Sequence, residues 1–224
     1  MCDNSSASSI YTLSLRQEAI KRSFDLAVSV PAFILTLPIT LGLVIIATAD
    51  TGEFGLFSQQ RIGRNGKTIR VHKIRTMRTS DSIATTVTAA NDARITKMGA
   101  FLRRAKLDEL PQLWDVIVGS MSLVGPRPDV SGWADRLSGS DRSILTIRPG
   151  ITGPASIRWR YEESILAECA EPESYNRHVI WPSKVRLNLD YLRSWTLMGD
   201  VSLIKRTIFG SDADPLFAER DTRH

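Results

Sequence analysis

Two adjacent carboxylates, Asp108 and Glu109, stand in the run Leu107-Asp108-Glu109-Leu110-Pro111. Proline is tolerated in the first turn of a helix and not in its interior, so the pair marks a helix start. There the partial positive charge of the helix dipole favours an ionised carboxylate. Neighbouring residues on a helix do not face each other. The pair therefore suits divided roles, a nucleophile beside a metal- or proton-supporting group, better than two acids sharing one proton. An acidic helix cap is the plainer use of the same residues. Downstream, Gly125-Pro126-Arg127-Pro128 holds an arginine between two prolines. A rigid loop lowers the entropy lost when a guanidinium grips a phosphate with two parallel bonds. Arg148-Pro149-Gly150-Ile151-Thr152-Gly153-Pro154 is a second rigid loop, and Gly150 and Gly153 permit close backbone approach. Arg158 and Arg160 follow it. Each loop alone reads equally as an ordinary turn. Arg61-Ile62-Gly63-Arg64-Asn65-Gly66-Lys67 is a basic turn or hairpin without the spacing of a nucleotide-binding P-loop.

The elements around these residues begin with an apolar segment. Residues 26–49 are 24 residues without a charge, long enough to cross a bilayer as a helix. Pro31 and Pro38 lie inside it, and each removes a helix hydrogen bond and crowds the preceding turn. A secretory signal, a kinked single crossing, a re-entrant helix that breaks near Pro38 and returns, and a buried core helix compete for this stretch. The run is longer than a signal peptide's apolar region and too uniformly apolar for an amphipathic core helix. Arg16, Lys21 and Arg22 precede it, and seven Lys or Arg fall between 61 and 78 with no acid among them. Basic flanks stay cytoplasmic, so two of them favour the re-entrant form. Ser29, Thr36 and Thr40 supply hydroxyls for the broken backbone.

Along the rest of the chain, residues 1–14 read as a loose polar tail. Alternation predicts a strand over 68–74, and Ser, Thr, Ala and Asp make 79–93 a mobile loop. Helices are expected over 94–107, with Ile95, Met98, Phe101, Leu102 and Ala105 on one face, and over 109–118. Basic helices with aromatics follow at 183–195 and 200–209, suited to a membrane interface or to ordinary packing on a core. The 224 residues carry 29 Lys and Arg against 24 Asp and Glu. That length buries a core unaided. Cys2 and Cys169 are too few for a disulfide scaffold or a cysteine-based zinc finger. No known nucleic-acid module is present. Arginine-rich loops, a carboxylate pair and a membrane segment together suggest a phosphate-bearing substrate handled at a bilayer surface.

The same residues, taken in order, resemble the bacterial sugar transferase family, the monotopic polyprenyl-phosphate phosphoglycosyl transferases. The likeness runs from Lys21-Arg22-Ser23-Phe24-Asp25 through Lys73-Ile74-Arg75-Thr76-Met77, Leu107 to Leu113 and Met121 to Pro128, then Arg148 to Gly153 and Leu189-Asp190-Tyr191-Leu192. It covers roughly residues 18–209. Asp115 and Ser120 stand where the family more usually has Asn and Asp. The resemblance implies a mainly α fold with a small β component. Its parts are a re-entrant membrane helix over 15–50, broken at Pro38, and an α/β catalytic domain over 51–224 with interfacial amphipathic helices. It implies transfer of a sugar 1-phosphate from a UDP-sugar to a polyprenyl phosphate, with release of UMP and a covalent aspartyl intermediate on Asp108. Glu109 would assist, as metal support or proton acceptor. Lys73, Arg75, Arg127, Arg148 and Arg160 would bind substrate or phosphate, and Asp108 would also hold Mg²⁺. The implied setting is the cytoplasmic face of the bacterial inner membrane, in contact with its lipids and with room for a homodimer. A catalytically silent membrane adaptor on the same scaffold is the alternative.

Overall fold

The computed structural model describes residues 10–79 and 92–210. The expected mobile loop therefore lies mostly outside the described residues, as does most of the polar tail. Residues 10–14 are held in place. The Tyr11 N–H donates to Ser143 Oγ at 2.9 Å, Thr146 Oγ1 donates to the Tyr11 carbonyl at 3.1 Å, and Leu13 is buried.

The fold is mostly helical, with two small sheets. Helix α1 (Leu15–Thr51) opens with a capping box. Ser14 Oγ accepts from the Gln17 N–H, and Gln17 Oε1 accepts from the Ser14 N–H, so two of the orphan donors at the helix start are satisfied. Gly52, at φ 78°, ends the helix in the left-handed region. The break expected at Pro38 is not a gap, since α1 runs on through both prolines. The fixed φ of proline is itself helical, so each ring removes one bond without ending the helix. Thr36 and Thr40 donate to the carbonyls one turn earlier, at 2.7 and 2.9 Å, a pattern that bends helices.

Both ends of α1 dock on the rest of the chain. Near its start, Lys21, Arg22 and Asp25 reach into the domain. Near its end, Ala47 packs against Ile74 and Leu102, and Thr48 Oγ1 accepts the Gly55 N–H at 2.8 Å. Between them, Ile34, Leu35, Ile39, Leu41 and Ile45 point outward.

Strands β1 (Leu56–Ile62) and β2 (Thr68–Ile74) form an antiparallel hairpin, with Leu56 opposite Ile74 and Ile62 opposite Thr68. The basic turn between them takes positive φ at Asn65 and Gly66, the residues that bear it best. Helices α2 (Lys97–Arg104) and α3 (Gln112–Val118) follow, separated by a single 3₁₀ turn at Leu107–Glu109. Leu102 on α2 is buried, while Met98 and Phe101 are exposed. Strands β3 (Ser122–Val124) and β4 (Gly150–Thr152) pair in parallel. Short helices α4 (Pro154–Arg158), α5 (Glu162–Glu168) and α6 (Pro172–Tyr175) lead to α7 (Trp181–Arg193) and α8 (Leu197–Phe209). Helix α7 is a core element that buries Val185, Leu189, Tyr191 and Leu192. Helix α8 leaves Met198, Ile208 and Phe209 outward. The main core joins Val71, Val116, Met121, Val124, Ile147 and Trp195 from five parts of the chain.

Candidate active site

Lys106 adopts a left-handed conformation, φ 56°, and turns the chain into the tight turn that carries both acids. Pro111 then sits immediately before α3, where its missing N–H costs nothing. The two carboxylates diverge. Glu109 Oε1 takes Arg127 Nη2 at 2.6 Å and Lys73 Nζ at 3.4 Å. Asp108 is 6% exposed, and its Oδ1 has no partner among the described residues. A buried acceptor left empty costs free energy, and no hydrogen bond within the described residues offsets that cost at Asp108 Oδ1.

Electrostatics sharpen the division. Burial opposes ionisation of Glu109, but Arg127 and Lys73 outweigh it and hold its carboxyl down at about 2. Burial pushes the Asp108 carboxyl up, and the Glu109 charge adds to this, while Lys73, Lys106 and Arg103 pull it back. Burial and the neighbouring Arg127 push the Lys73 ammonium down. The Glu109 charge and its hydrogen bond raise Arg127, whose side chain is still 41% exposed.

Glycines brace the arginine loop. A Cβ on Gly150 would fall 2.1 Å from the Gly125 nitrogen, and one on Gly153 2.2 Å from the Gly125 oxygen. The close backbone approach predicted for these glycines is thus made to the Gly-Pro-Arg-Pro loop. The Gly150 N–H donates to the Pro126 carbonyl at 2.9 Å. One rigid loop locks the other, and Arg127 is fixed at its root.

A model of the bacterial sugar transferase family matches residues 16–211. The chain belongs to this family. It is 32% identical over 196 residues to the UDP-glucose:undecaprenyl-phosphate glucose-1-phosphate transferase of Escherichia coli, covering 85% of this chain and 39% of that protein. It is 32% identical over 204 residues to the undecaprenyl-phosphate galactose phosphotransferase of Salmonella typhimurium, covering 84% of this chain and 39% of the relative. An exopolysaccharide production protein of Rhizobium leguminosarum is 40% identical over 147 residues, 62% of this chain and 74% of the relative. The chain thus spans about two fifths of the length of the first two.

Within this family member, the predicted site residues fall into two groups. Lys73, Asp108, Glu109 and Arg127 converge. Arg75, Arg148 and Arg160 are engaged elsewhere. Arg75 pairs with Glu53 at 3.1 Å, donates to the Phe54 carbonyl and lies over the Phe57 ring, tying β2 to the exit of α1. Arg148 donates to the Gly119 carbonyl at 2.9 Å, while Arg22 takes the Val116 and Ile117 carbonyls at 2.6 and 2.8 Å. These two arginines satisfy the carbonyls at the C-terminal end of α3, where cations are favoured. Arg160 donates to the Thr207 carbonyl at 3.1 Å, near the end of α8.

Sequence reading passed over three groups beside the pair. Arg103, at the end of α2, feels the Asp108 charge and keeps one buried nitrogen, Nη1, without a partner. Its place in a basic stretch before Asp108 was the available signal. Asp129 lies among Lys184, Arg61 and Arg127, with its carboxyl pushed up to about 6 by burial against their pull. His72 and Asp115 form a pair between β2 and α3.

Proposed function

We propose that this chain moves a sugar 1-phosphate from a UDP-sugar to undecaprenyl phosphate in two displacements through Asp108. The observation that carries the reading is the buried, unpartnered Asp108 oxygen beside a Glu109 whose charge Arg127 and Lys73 already claim. The names of the relatives support the substrate classes. In the first displacement a carboxylate oxygen of Asp108 attacks the β-phosphorus of the donor. The bond from that phosphorus to the bridging oxygen breaks, and UMP leaves with the oxygen. In the second, a phosphate oxygen of the lipid attacks the aspartyl phosphosugar, the bond to Asp108 breaks and the carboxylate returns. Splitting one exchange in two is covalent catalysis. Both the attacking lipid phosphate and the departing UMP are ionised near neutral pH, because their second pKa lies near 6. Neither step therefore requires Glu109 to carry a proton. Its part is to hold Arg127 and Lys73 where phosphate charge accumulates.

Among the described residues no cluster of three His, Cys, Asp or Glu side chains forms a ready metal cage. Mg²⁺ does not need one, since it binds through one or two carboxylates, water and substrate phosphates. Asp108 would hold the ion through the carboxylate oxygen that does not attack, and there Mg²⁺ would neutralise diphosphate charge.

The same reading places α1 in one leaflet of the inner membrane, with the domain on the cytoplasmic face. A straight helix of 37 residues would be about 55 Å long, far more than the ~30 Å hydrocarbon core. Docking of both its ends on one domain favours a bent, returning path. Exposed Trp114 has its ring 5.8 Å from that of Phe33 on α1, and with exposed Met98 and Phe101 on α2 it suits an interfacial depth. Cysteines placed at Ser8 and at exposed Ser138, in a background lacking Cys2 and Cys169, should both resist an impermeant maleimide in intact cells. Both should react after permeabilisation. Labelling of Ser8→Cys alone in intact cells would refute the re-entrant path and leave the chemistry standing.

The function itself is tested by a panel of UDP-sugars with undecaprenyl phosphate and Mg²⁺, reading UMP. Release with one or more donors is expected, and silence with all of them would favour the adaptor. In the active reaction Arg127→Lys keeps the charge and loses the planar fork. We expect kcat/KM to fall about 10-fold or more, about 1.4 kcal/mol of transition-state binding. Unchanged kinetics would make Arg127 a structural arginine.

A further inference from the structure

Strand β2 carries Lys73 to Glu109, yet it belongs to a sheet of only two strands. Such a sheet is marginal without tertiary anchors. One edge of β2 pairs with β1; the other meets no strand among the described residues. In an antiparallel ladder alternate residues turn their N–H away from the partner strand. His72, opposite Ser58, is one of these. Its outward N–H donates to Asp115 Oδ2 at 2.9 Å, and its ring Nδ1 lies 2.6 Å from Asp115 Oδ1. Asp115 is on α3 and is 1% exposed. One carboxylate thus grips the backbone and the side chain of a single residue, which fixes both the height of the strand and its rotation.

Lys73 is the next residue, and its side chain leaves the opposite face of the strand. Its ammonium is 3.4 Å from Glu109 Oε1. That is already at the long end of a hydrogen bond, so a small slide of β2 forfeits it. The two contacts are rungs between the same two segments. On one side are His72 and Lys73. On the other are Glu109 and Asp115, joined through Pro111 and the first turns of α3.

We propose that Asp115 is a positioning residue which, by clamping His72, sets the Lys73 ammonium against Glu109. The proposal rests on the reading of Asp108 and Glu109 as the transferase centre. Burial pushes the Asp115 carboxyl up while the two His72 bonds draw it down. Toward the His72 N–H, Asp115 serves as an acceptor. An asparagine retains that role: the amide oxygen accepts from the His72 N–H, and the amide nitrogen donates to Nδ1 in the other imidazole tautomer. A leucine keeps the volume and loses both bonds.

The test uses the full chain in detergent micelles, with the UDP-sugar that releases UMP. Asp115→Leu should lower kcat about 10-fold, as misplacement of a charged group by a fraction of an ångström does, while Asp115→Asn stays within about 3-fold of the parent. In a Lys73→Met background, Asp115→Leu should cost less than about 2-fold more, because residues that act through one another are not additive. A merely structural Asp115 would multiply its loss in both backgrounds, and that outcome overturns the proposal. A second measurement needs no turnover: the rate at which trinitrobenzenesulfonate modifies Lys73, followed by peptide mass spectrometry. Asp115→Leu should raise it about 3-fold as the amine leaves Glu109, and Asp115→Asn should not. Absence of UMP release by the parent chain refutes the transferase reading alone. Equal Lys73 labelling in all three proteins refutes the clamp.

Discussion

Asp108→Asn is expected to fold like the parent and to release UMP at least about 10⁴-fold more slowly, as loss of a covalent nucleophile does elsewhere. The substitution is nearly isosteric, and Asp108 Oδ1 holds no bond that the fold would miss. Thermal unfolding should therefore shift little. Burial disfavours the charge on Asp108, so the neutral amide is no harder to accommodate. Chemistry is another matter, because an amide oxygen is a poor nucleophile and its adduct would lack the path back to carboxylate. With UDP-sugar and no lipid acceptor, the parent chain should accumulate a phosphosugar adduct on the peptide containing Asp108. An adduct trapped on any other residue would end the assignment. Loss of folding in Asp108→Asn would instead show that the free oxygen belongs to the fold.

The second large effect is on stability. Asp200 is fully buried and accepts from Lys21 Nζ at 2.6 Å, Tyr191 OH at 2.8 Å and Trp195 Nε1 at 3.1 Å. Burial and the Asp200 charge push the Tyr191 hydroxyl far above its ordinary range, so it stays a donor. Asp200→Leu takes the hydrogen-bond acceptor from the buried Lys21 ammonium, leaves only the Asp25 charge to balance it, and strands two further donors. Breaking a buried pair from one side costs about 3–5 kcal/mol. In a chain of this size that lowers Tm by on the order of 10 °C. Lys21→Met combined with Asp200→Leu should recover part of the loss, since the uncompensated charge goes with the lysine. Scanning calorimetry or fluorescence melting in detergent measures both. A double variant as unstable as Asp200→Leu alone would mean that packing, and not the ammonium, dominates the site.

The local parts of this molecule were legible because local rules govern them. Strand β2 follows from the alternation of residues 68–74, and Arg61 to Lys67 read as a turn or hairpin; the partner strand β1 was not legible. Pro111 marked a helix start, and α3 begins at Gln112, but the two acids lie in a separate 3₁₀ turn before it rather than in the helix itself; the rigidity at Arg127 follows from its flanking prolines. What no local rule reaches is the pairing of distant groups. Lys21 and Asp200 lie 179 positions apart, and nothing at either position names the other. Arg75, Arg148 and Arg160 have the chemistry to bind phosphate, but they answer first to backbone carbonyls and a carboxylate brought to them by the fold. Gly150 and Gly153 were readable as places of close approach; that Gly125 fills the space was not. Met98 and Phe101 share a helix with Leu102, and only the position of α1 decides which of them is covered.

The docking of α1 at both ends also sets an order of assembly. The helix is synthesised before every group it meets: Asp25 waits for Ser122 and Leu123, Arg22 for the end of α3, and Lys21 for Asp200. Until those arrive, its charged end can only be hydrated, while its apolar middle already prefers lipid. The rest of the chain then closes onto a helix that is already made, much as a lid is cut to a hinge already mounted. Helix α1 is a structural member of the domain as well as its anchor. Cutting the chain after Gly52 would strip the cover from Ile74 and Leu102 and take Lys21 from Asp200, so a fragment made by that cut should aggregate rather than stand as a smaller version of the domain.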